Sequence, residues 1–207
     1  MLKIKKQPYN SVWVSADSQK ELGETFIRFQ EYYESPSRKY RNKVFTLGDI
    51  KHYYSLQYGA DLYSELWIGF NFPSSVLLPF KQGLFDPLTT QEKELLGLLK
   101  YRNDNYYIIG AQNNSTLRHE LSHAMYGYDK KYQQKIDSFI KKHTKDFSKV
   151  SKHLIKRGYD KSVLNDELQA YITDNDDDFI RSNLDPYLIN SIISIYKEHR
   201  KHDKKLG

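Results

Sequence analysis

The clearest chemical signal in this sequence is the segment HELSH at residues 119–123, which matches the pattern H-E-x-x-H. On an α-helix, residues four apart lie one turn apart on the same face, so the imidazoles of His119 and His123 can reach one metal ion. Glu120 then lies beside the coordination position that the protein ligands leave open. The pattern predicts a zinc site that hydrolyses a bond with an activated water molecule.

The residues before the motif predict the elements that position it. Residues 106–110, YYIIG, form an aromatic and β-branched run that is typical of a strand, and a polar connection follows. We expect Thr116 or Ser115 to cap the helix that carries the motif. This helix has apolar residues at spacings of four and three, which give it one buried face: Leu117, Leu121 and Ala124.

A strand, a short loop and a metal-bearing helix in this order resemble the zincin metallopeptidases, over roughly residues 105–175 of this chain. The resemblance implies a zinc peptidase whose edge strand pairs with an extended substrate. It also implies an α+β, zincin-like fold, with an N-terminal mixed α/β part that contains a small sheet, an active-site helix and a helical C-terminal half.

A catalytic zinc site needs a third protein ligand. Glu167 opens an E-x-x-A segment on a predicted helix, which resembles the third-ligand helix of gluzincins, the zincin branch that completes its site with glutamate. Asp129 lies six residues after His123, where metzincins place this ligand, although Tyr126 holds the position of the glycine that they need. His143 lies in a lysine-rich run. We predict Glu167 as the ligand, and Asp129 and His143 remain alternatives.

The resemblance implies a mechanism in which His119, His123 and Glu167 hold Zn²⁺. Glu120 takes a proton from the attacking water and delivers it to the leaving amine. The oxyanion that develops on the carbonyl needs a donor besides the metal.

Two supporting roles have candidates nearby. Asp166 can orient His119 or His123, because metal-bound histidines usually donate their second nitrogen to a partner. Three tyrosines are candidates for the oxyanion donor: Tyr171, Tyr159 and Tyr126.

The length of 207 residues predicts one domain over residues 1–207, with an α/β part to about residue 127 and a helical part over 128–207. The chain has no cysteine, which excludes disulfides, a cysteine nucleophile and cysteine-ligated zinc. The first residues have no apolar segment of a signal peptide, and no apolar run is long enough to span a membrane. We therefore expect a cytoplasmic protein. The resemblance to zincins implies a protein or peptide substrate.

Positive charge is concentrated in residues 130–161, which contain eleven Lys and Arg against three Asp. This excess predicts an anionic partner for these helices, unless it is only a solvated face. Two alternative functions stay open. One is a nucleic-acid-associated protease similar to the SprT-like enzymes, although this chain lacks the cysteine zinc ribbon that is common among them. The other is a zinc-retaining regulatory protein without turnover.

Patterning elsewhere predicts the remaining elements. We expect strands at residues 11–16, 66–72 and 76–80. Helices are expected at residues 18–35 and 47–58, and another helix is expected to begin at the capping-box pattern TTQE at 89–92. Four more helices are expected in residues 130–143, 146–157, 164–173 and 186–201.

Overall fold

The computed structural model of the chain describes residues 1–59, 63–100, 102, 105–174 and 177–203, the last three as backbone only. The fold is α+β, with one small mixed sheet and many helices. The chain divides into two compact units, Met1–Glu120 and Leu121–Gly207. Within the described residues, no helix is both long and apolar enough to cross a membrane.

The sheet belongs to the first unit and has the strand order β1-β2-β4-β3. β2 pairs with β4 in parallel, and the other two pairings are antiparallel, which leaves β1 and β3 at the edges. The strands are β1 Lys3–Gln7, β2 Ser11–Ser15, β3 Gly69–Pro73 and β4 Tyr107–Ala111. The strands predicted at residues 11–16 and 106–110 are therefore confirmed.

Among the described residues, five helices precede β4 in the first unit: α1 Gln19–Glu34, α2 Leu47–Tyr58, α3 Tyr63–Leu66, α4 Leu78–Lys81 and α5 Thr90–Leu99. α1 follows the N-cap Ser18, and α5 follows Thr89 with a complete capping box, as the polar residues there predicted. α2 follows Thr46, whose complete capping box was not predicted. α2 ends at Gly59, whose φ of 81° suits a residue without a side chain.

The strand predicted at residues 76–80 is wrong, because Ser74–Leu77 is a 3₁₀ turn and α4 follows it. Val76, Leu77 and Phe80 are buried at helical spacings, and Pro79 suits the first turn of a helix because it has no N–H to bond. A short apolar run does not distinguish a strand from a buried helix by itself. The edge strand β1 was not predicted, since most of its residues are exposed, and it pairs with β2 along one side.

Helix α1 packs its apolar side on the sheet and secures it to α5. Phe26 lies against Gly110 of β4, where an added Cβ would be only 2.9 Å from the ring. Arg28 is 3% exposed and donates to Glu92 of α5 and, across 2.8 Å, to the carbonyl of Phe85. A buried charged pair needs such additional hydrogen bonds to offset its desolvation.

The second unit is helical, and α6 Asn114–Tyr128 runs across the boundary into it. Its other helices are α7 Lys130–Lys142, α8 Thr144–Lys156, α9 Leu164–Asp174, α10 Asp178–Ser182 and α11 Pro186–Asp203. α9 contacts α7, α8, α10 and α11, which makes it the centre of this unit. The four predicted helices are confirmed, and α10 is additional; the side chain of Asp177 caps its first turn.

The buried carboxyl of Glu31 on α1 predicts a pH-dependent stability. Burial raises the pKa of Glu31 above its ordinary value of 4.5, although Tyr54 donates to it across 2.7 Å. The folded chain then keeps a proton that the unfolded chain releases, so this contribution to stability is complete below pH 4.5 and is lost as the pH rises through the raised pKa. The Glu31→Gln variant should exceed the wild type in stability at pH 8, with the difference shrinking towards pH 4.5.

Urea unfolding of both proteins at the two pH values measures this difference. The exposed Glu65→Gln variant controls for the loss of one charge. An equal difference between wild type and Glu31→Gln at both pH values would contradict the prediction.

Candidate metal centre

Asn113 starts the motif helix α6. Its side-chain oxygen accepts the backbone N–H of Thr116 across 2.9 Å, which is the pattern of an N-cap residue. The prediction that Thr116 or Ser115 would be the cap is therefore wrong, because both lie inside the first turn of the helix. The motif itself is helical throughout, so the two histidines occupy one face as the spacing predicted.

His119 and His123 on α6 and Glu167 on α9 form a group that could hold a metal ion. One ligand atom of each residue lies within 4.8 Å of the other two. His123 Nε2 and Glu167 Oε1 are 3.9 Å apart, and ligands of a tetrahedral zinc site are about 3.4 Å apart when the bonds are about 2.1 Å. His123 and Glu167 are 3% and 6% exposed, whereas His119 is partly exposed.

Asp166 on α9 contacts the other nitrogen of His123. His123 Nδ1 and Asp166 Oδ1 are 2.8 Å apart, and a carboxylate can only accept, so Nδ1 carries the hydrogen. The lone pair of His123 is then on Nε2, the nitrogen nearer to Glu167. The sequence predicts His119 or His123 as the partner of Asp166, and Asp166 contacts His123.

The two alternative third ligands, Asp129 and His143, are bonded to other residues. Asp129 caps α7 through Oδ1, and its Oδ2 is 2.7 Å from Nδ1 of His199. Burial raises the pKa of Asp129, but the hydrogen bonds from His199 and two backbone amides outweigh it and lower the pKa below its ordinary value. His143 pairs with Asp146 at the junction of α7 and α8. Neither residue belongs to the group formed by the two motif histidines.

Strand β3 holds the carboxylate of Glu120, which is 6% exposed. The side-chain amide of Asn71 donates to Glu120 Oε2 across 2.7 Å. A Cβ added at Gly69 would lie 2.1 Å from Glu120 Oε1, so the missing side chain of this glycine makes room for the carboxylate. The sequence analysis missed both residues, although a glycine inside a strand often marks a close approach and Asn71 alternates with two buried phenylalanines.

The three tyrosine candidates differ in their contacts. The hydroxyls of Tyr159 and Tyr171 are 2.9 Å apart, and burial raises the pKa of both, with the charge of Glu167 adding to the effect. Tyr126 donates to Asp137 across 2.6 Å, and burial followed by this hydrogen bond raises its pKa. The charge of Glu167 therefore acts on Tyr159 and Tyr171, whereas the hydroxyl of Tyr126 is hydrogen-bonded to Asp137 on α7.

Comparisons of the chain with protein-family models, with curated proteins and with solved structures found no match.

The contact between Gly69 and Glu120 predicts the effect of one added methyl group. In the Gly69→Ala variant, Glu120 Oε1 must move by about 1 Å or more, because ordinary contact begins at 3.4 Å and the new Cβ would stand at 2.1 Å. The movement should break the hydrogen bond from Asn71 and cost about 1–3 kcal/mol of stability. The side-chain amide resonance of Asn71 in an NMR spectrum reports the hydrogen bond.

The Gly97→Ala variant is a matched control, since a Cβ there meets nothing within 4 Å in the interior of α5. It should leave the Asn71 resonance in place and stabilise the chain by about 0.5–1 kcal/mol. An unshifted Asn71 resonance in Gly69→Ala would show that β3 does not hold the carboxylate.

Proposed function

We propose that the chain is a zinc-dependent peptidase whose metal ligands are His119, His123 and Glu167. The observation that carries the proposal is the group of two imidazoles and one carboxylate, with Glu120 next to His119 in the sequence. Two histidines and one glutamate are a donor set of catalytic zinc sites, which leave a fourth position for water. The residues fit the ion, because the ligand nitrogen of His123 is already oriented by Asp166 and lies 3.9 Å from Glu167 Oε1, near the spacing of zinc ligands.

A bound zinc ion supplies Lewis-acid chemistry, since it acidifies water and polarises a carbonyl group. Glu120 acts as the general base, taking a proton from the attacking water and passing it to the leaving amine. The hydrogen bond from Asn71 to Oε2 keeps the other oxygen, Oε1, as the proton acceptor. Tyr171, with Tyr159 bonded to it, is the donor that we assign to the oxyanion, because the pair lies near Glu167.

A zincin-like arrangement of the elements is part of the proposal. β4, the parallel neighbour of β2, leads through a short loop into α6, and β3 forms the edge beside β4. Substrate pairing along the whole edge of β3 is not favoured. Gln30 of α1 accepts the backbone N–H of Asn71 across 3.2 Å, and Pro73 has no N–H to offer.

The test separates metal binding from proton transfer. Purified wild-type protein should contain about one zinc per chain and cleave denatured casein or members of a random peptide library. Glu120→Gln should keep the zinc and lose hydrolysis by about a hundredfold or more, because an amide cannot take the proton. His123→Ala should lose both, as two ligands bind zinc far more weakly than three.

Glu167→Ala should weaken zinc binding as His123→Ala does, whereas Asp129→Ala and His143→Ala provide matched controls that keep the zinc. Zinc is measured by elemental analysis, and cleavage by mass spectrometry of new peptide termini. Full zinc in Glu167→Ala, or unreduced cleavage by Glu120→Gln, would refute the assignment. Zinc without any cleavage by the wild type would favour a zinc-retaining regulatory protein.

A row of lysines on α8 favours a second candidate function, binding of a nucleic-acid backbone. Four exposed lysines follow one face of this helix at spacings of four, three and four: Lys145, Lys149, Lys152 and Lys156. The row is about 16 Å long, with one positive charge per helical turn. The opposite face is buried through Phe147, Val150 and Leu154, so the lysine face points to solvent.

Replacing the four lysines of this row by glutamine should weaken binding of a fluorescent 20-nucleotide single strand. Each phosphate contact contributes about 0.9 or less to the slope of log K against log salt, where K is the binding constant of the strand. Loss of four contacts should therefore reduce the magnitude of this slope by about three. Removing four exposed lysines elsewhere, at Lys5, Lys6, Lys43 and Lys81, changes the net charge equally and should preserve most of the slope. Equal effects of both variants would refute a site on α8, and binding of anionic vesicles alone would assign the row to lipid headgroups.

A further inference from the structure

A chain of hydrogen bonds within the second unit, buried at its start and partly buried at Asp166, ends at the candidate metal centre. Tyr132 of α7 and Gln169 of α9 are both 0% exposed, and Tyr132 donates its hydroxyl hydrogen to Gln169 Oε1 across 2.6 Å. Gln169 Nε2 donates to Asp166 Oδ1 across 3.0 Å. The same Asp166 oxygen accepts from His123 Nδ1 across 2.8 Å.

The chemistry of the groups sets the direction of this chain. An ionised carboxylate only accepts, so the Gln169 amide must present its NH₂ group to Asp166. The amide oxygen then faces Tyr132, whose hydroxyl can satisfy it only as a donor. Exchanging the amide oxygen and nitrogen of Gln169 would place two acceptors against each other at Asp166.

Asp166 needs this support. Its side chain is 23% exposed, against 4% for the His123 side chain, so packing alone restrains it less. The hydrogen bond from Gln169 keeps Oδ1 facing His123, and Oδ1 in turn keeps the imidazole with Nε2 towards Glu167. A ligand that is held in its bound orientation loses less conformational freedom when the metal binds.

We propose that Tyr132 and Gln169 are positioning residues for the metal centre, which act through Asp166 on the ligand nitrogen of His123. This inference rests on the zinc-binding part of the proposed function and does not depend on the substrate. Partners of metal-bound histidines typically contribute 10–100-fold to metal affinity. Two hydrogen bonds separate Tyr132 from Asp166, so we expect the Tyr132 hydroxyl to contribute about threefold to tenfold to the zinc affinity.

The test measures zinc affinity of the metal-free full chain by competition with a chromophoric chelator. Tyr132→Phe keeps the ring, which packs near Tyr196 and His199, and removes only the hydroxyl. Gln169→Met keeps the length of the side chain and removes both hydrogen bonds. We expect a threefold to tenfold loss for Tyr132→Phe and about tenfold for Gln169→Met. Because both act in one chain, the double variant should bind zinc as Gln169→Met does.

Tyr54→Phe is a matched control, since it removes another buried tyrosine hydroxyl, the one that donates to Glu31, and should leave zinc affinity unchanged. A long-range nitrogen–proton NMR spectrum of the metal-free protein supplies a second readout. It should show His123 protonated at Nδ1 in the wild type and a mixture of tautomers in Gln169→Met.

The outcomes separate the two proposals. Wild-type protein that binds zinc, with Tyr132→Phe binding it equally well, would overturn the positioning role and leave the proposed function intact. Additive losses in the double variant would also overturn it, because they indicate separate packing effects. His123 protonated at Nε2 in the metal-free wild type would overturn the chain of hydrogen bonds directly. A wild type that binds no zinc would overturn both proposals.

Discussion

Burial of polar side chains is the constraint on which the candidate centre depends. Glu120, His123 and Glu167 are each more than nine-tenths buried, and a buried polar group without hydrogen bonds costs a large part of the stability of a domain. The chain must therefore supply partners to these side chains even before any ligand arrives. Asn71 and Asp166 are two of these partners, and each of them bonds to an atom that the proposed chemistry does not use.

The two functional halves of the motif are held by different elements. Glu120 and His123 lie three residues apart on α6, yet Glu120 is fixed by β3 and His123 by α9. The proposed proton transfer and the proposed metal binding would consequently depend on different sets of residues. This arrangement makes them separable by substitution, because removing a hydrogen bond on β3 does not touch the chain that leads from Tyr132 to His123.

Support for the strand side of the site comes from the aromatic core of the first unit. Phe26 stacks on Phe70 of β3 with ring centroids 5.2 Å apart, and it also covers Gly110 of β4. The ion pair between Arg28 and Glu92 joins α1 to α5 in the same layer. Side chains of β3 alternate, so that Phe70 and Phe72 pack into this core and Asn71 points to the opposite face, where it meets Glu120.

Local chemistry in the sequence was sufficient for much of the secondary structure. Capping boxes begin α2 and α5, and a glycine in the left-handed conformation ends α2. Periodic apolar residues predicted the helices of the second half. The same signals failed at residues 76–80, where an apolar run without clear periodicity folds as a turn and a short helix, and at β1, whose exposed residues carry no strand pattern.

The spacing of HELSH by itself determined that two imidazoles share a helix face with a glutamate between them, because helical geometry is local. Proximity of Glu167, 44 positions beyond His123, was only a hypothesis from sequence, since it requires α7, α8 and α9 to pack in one particular way. The contacts of Asn71, Gly69, Gln169 and Tyr132 were decided by the tertiary structure alone. Hydrogen bonds between residues far apart in the chain depend on side-chain rotamers and packing, which no single-sequence pattern encodes.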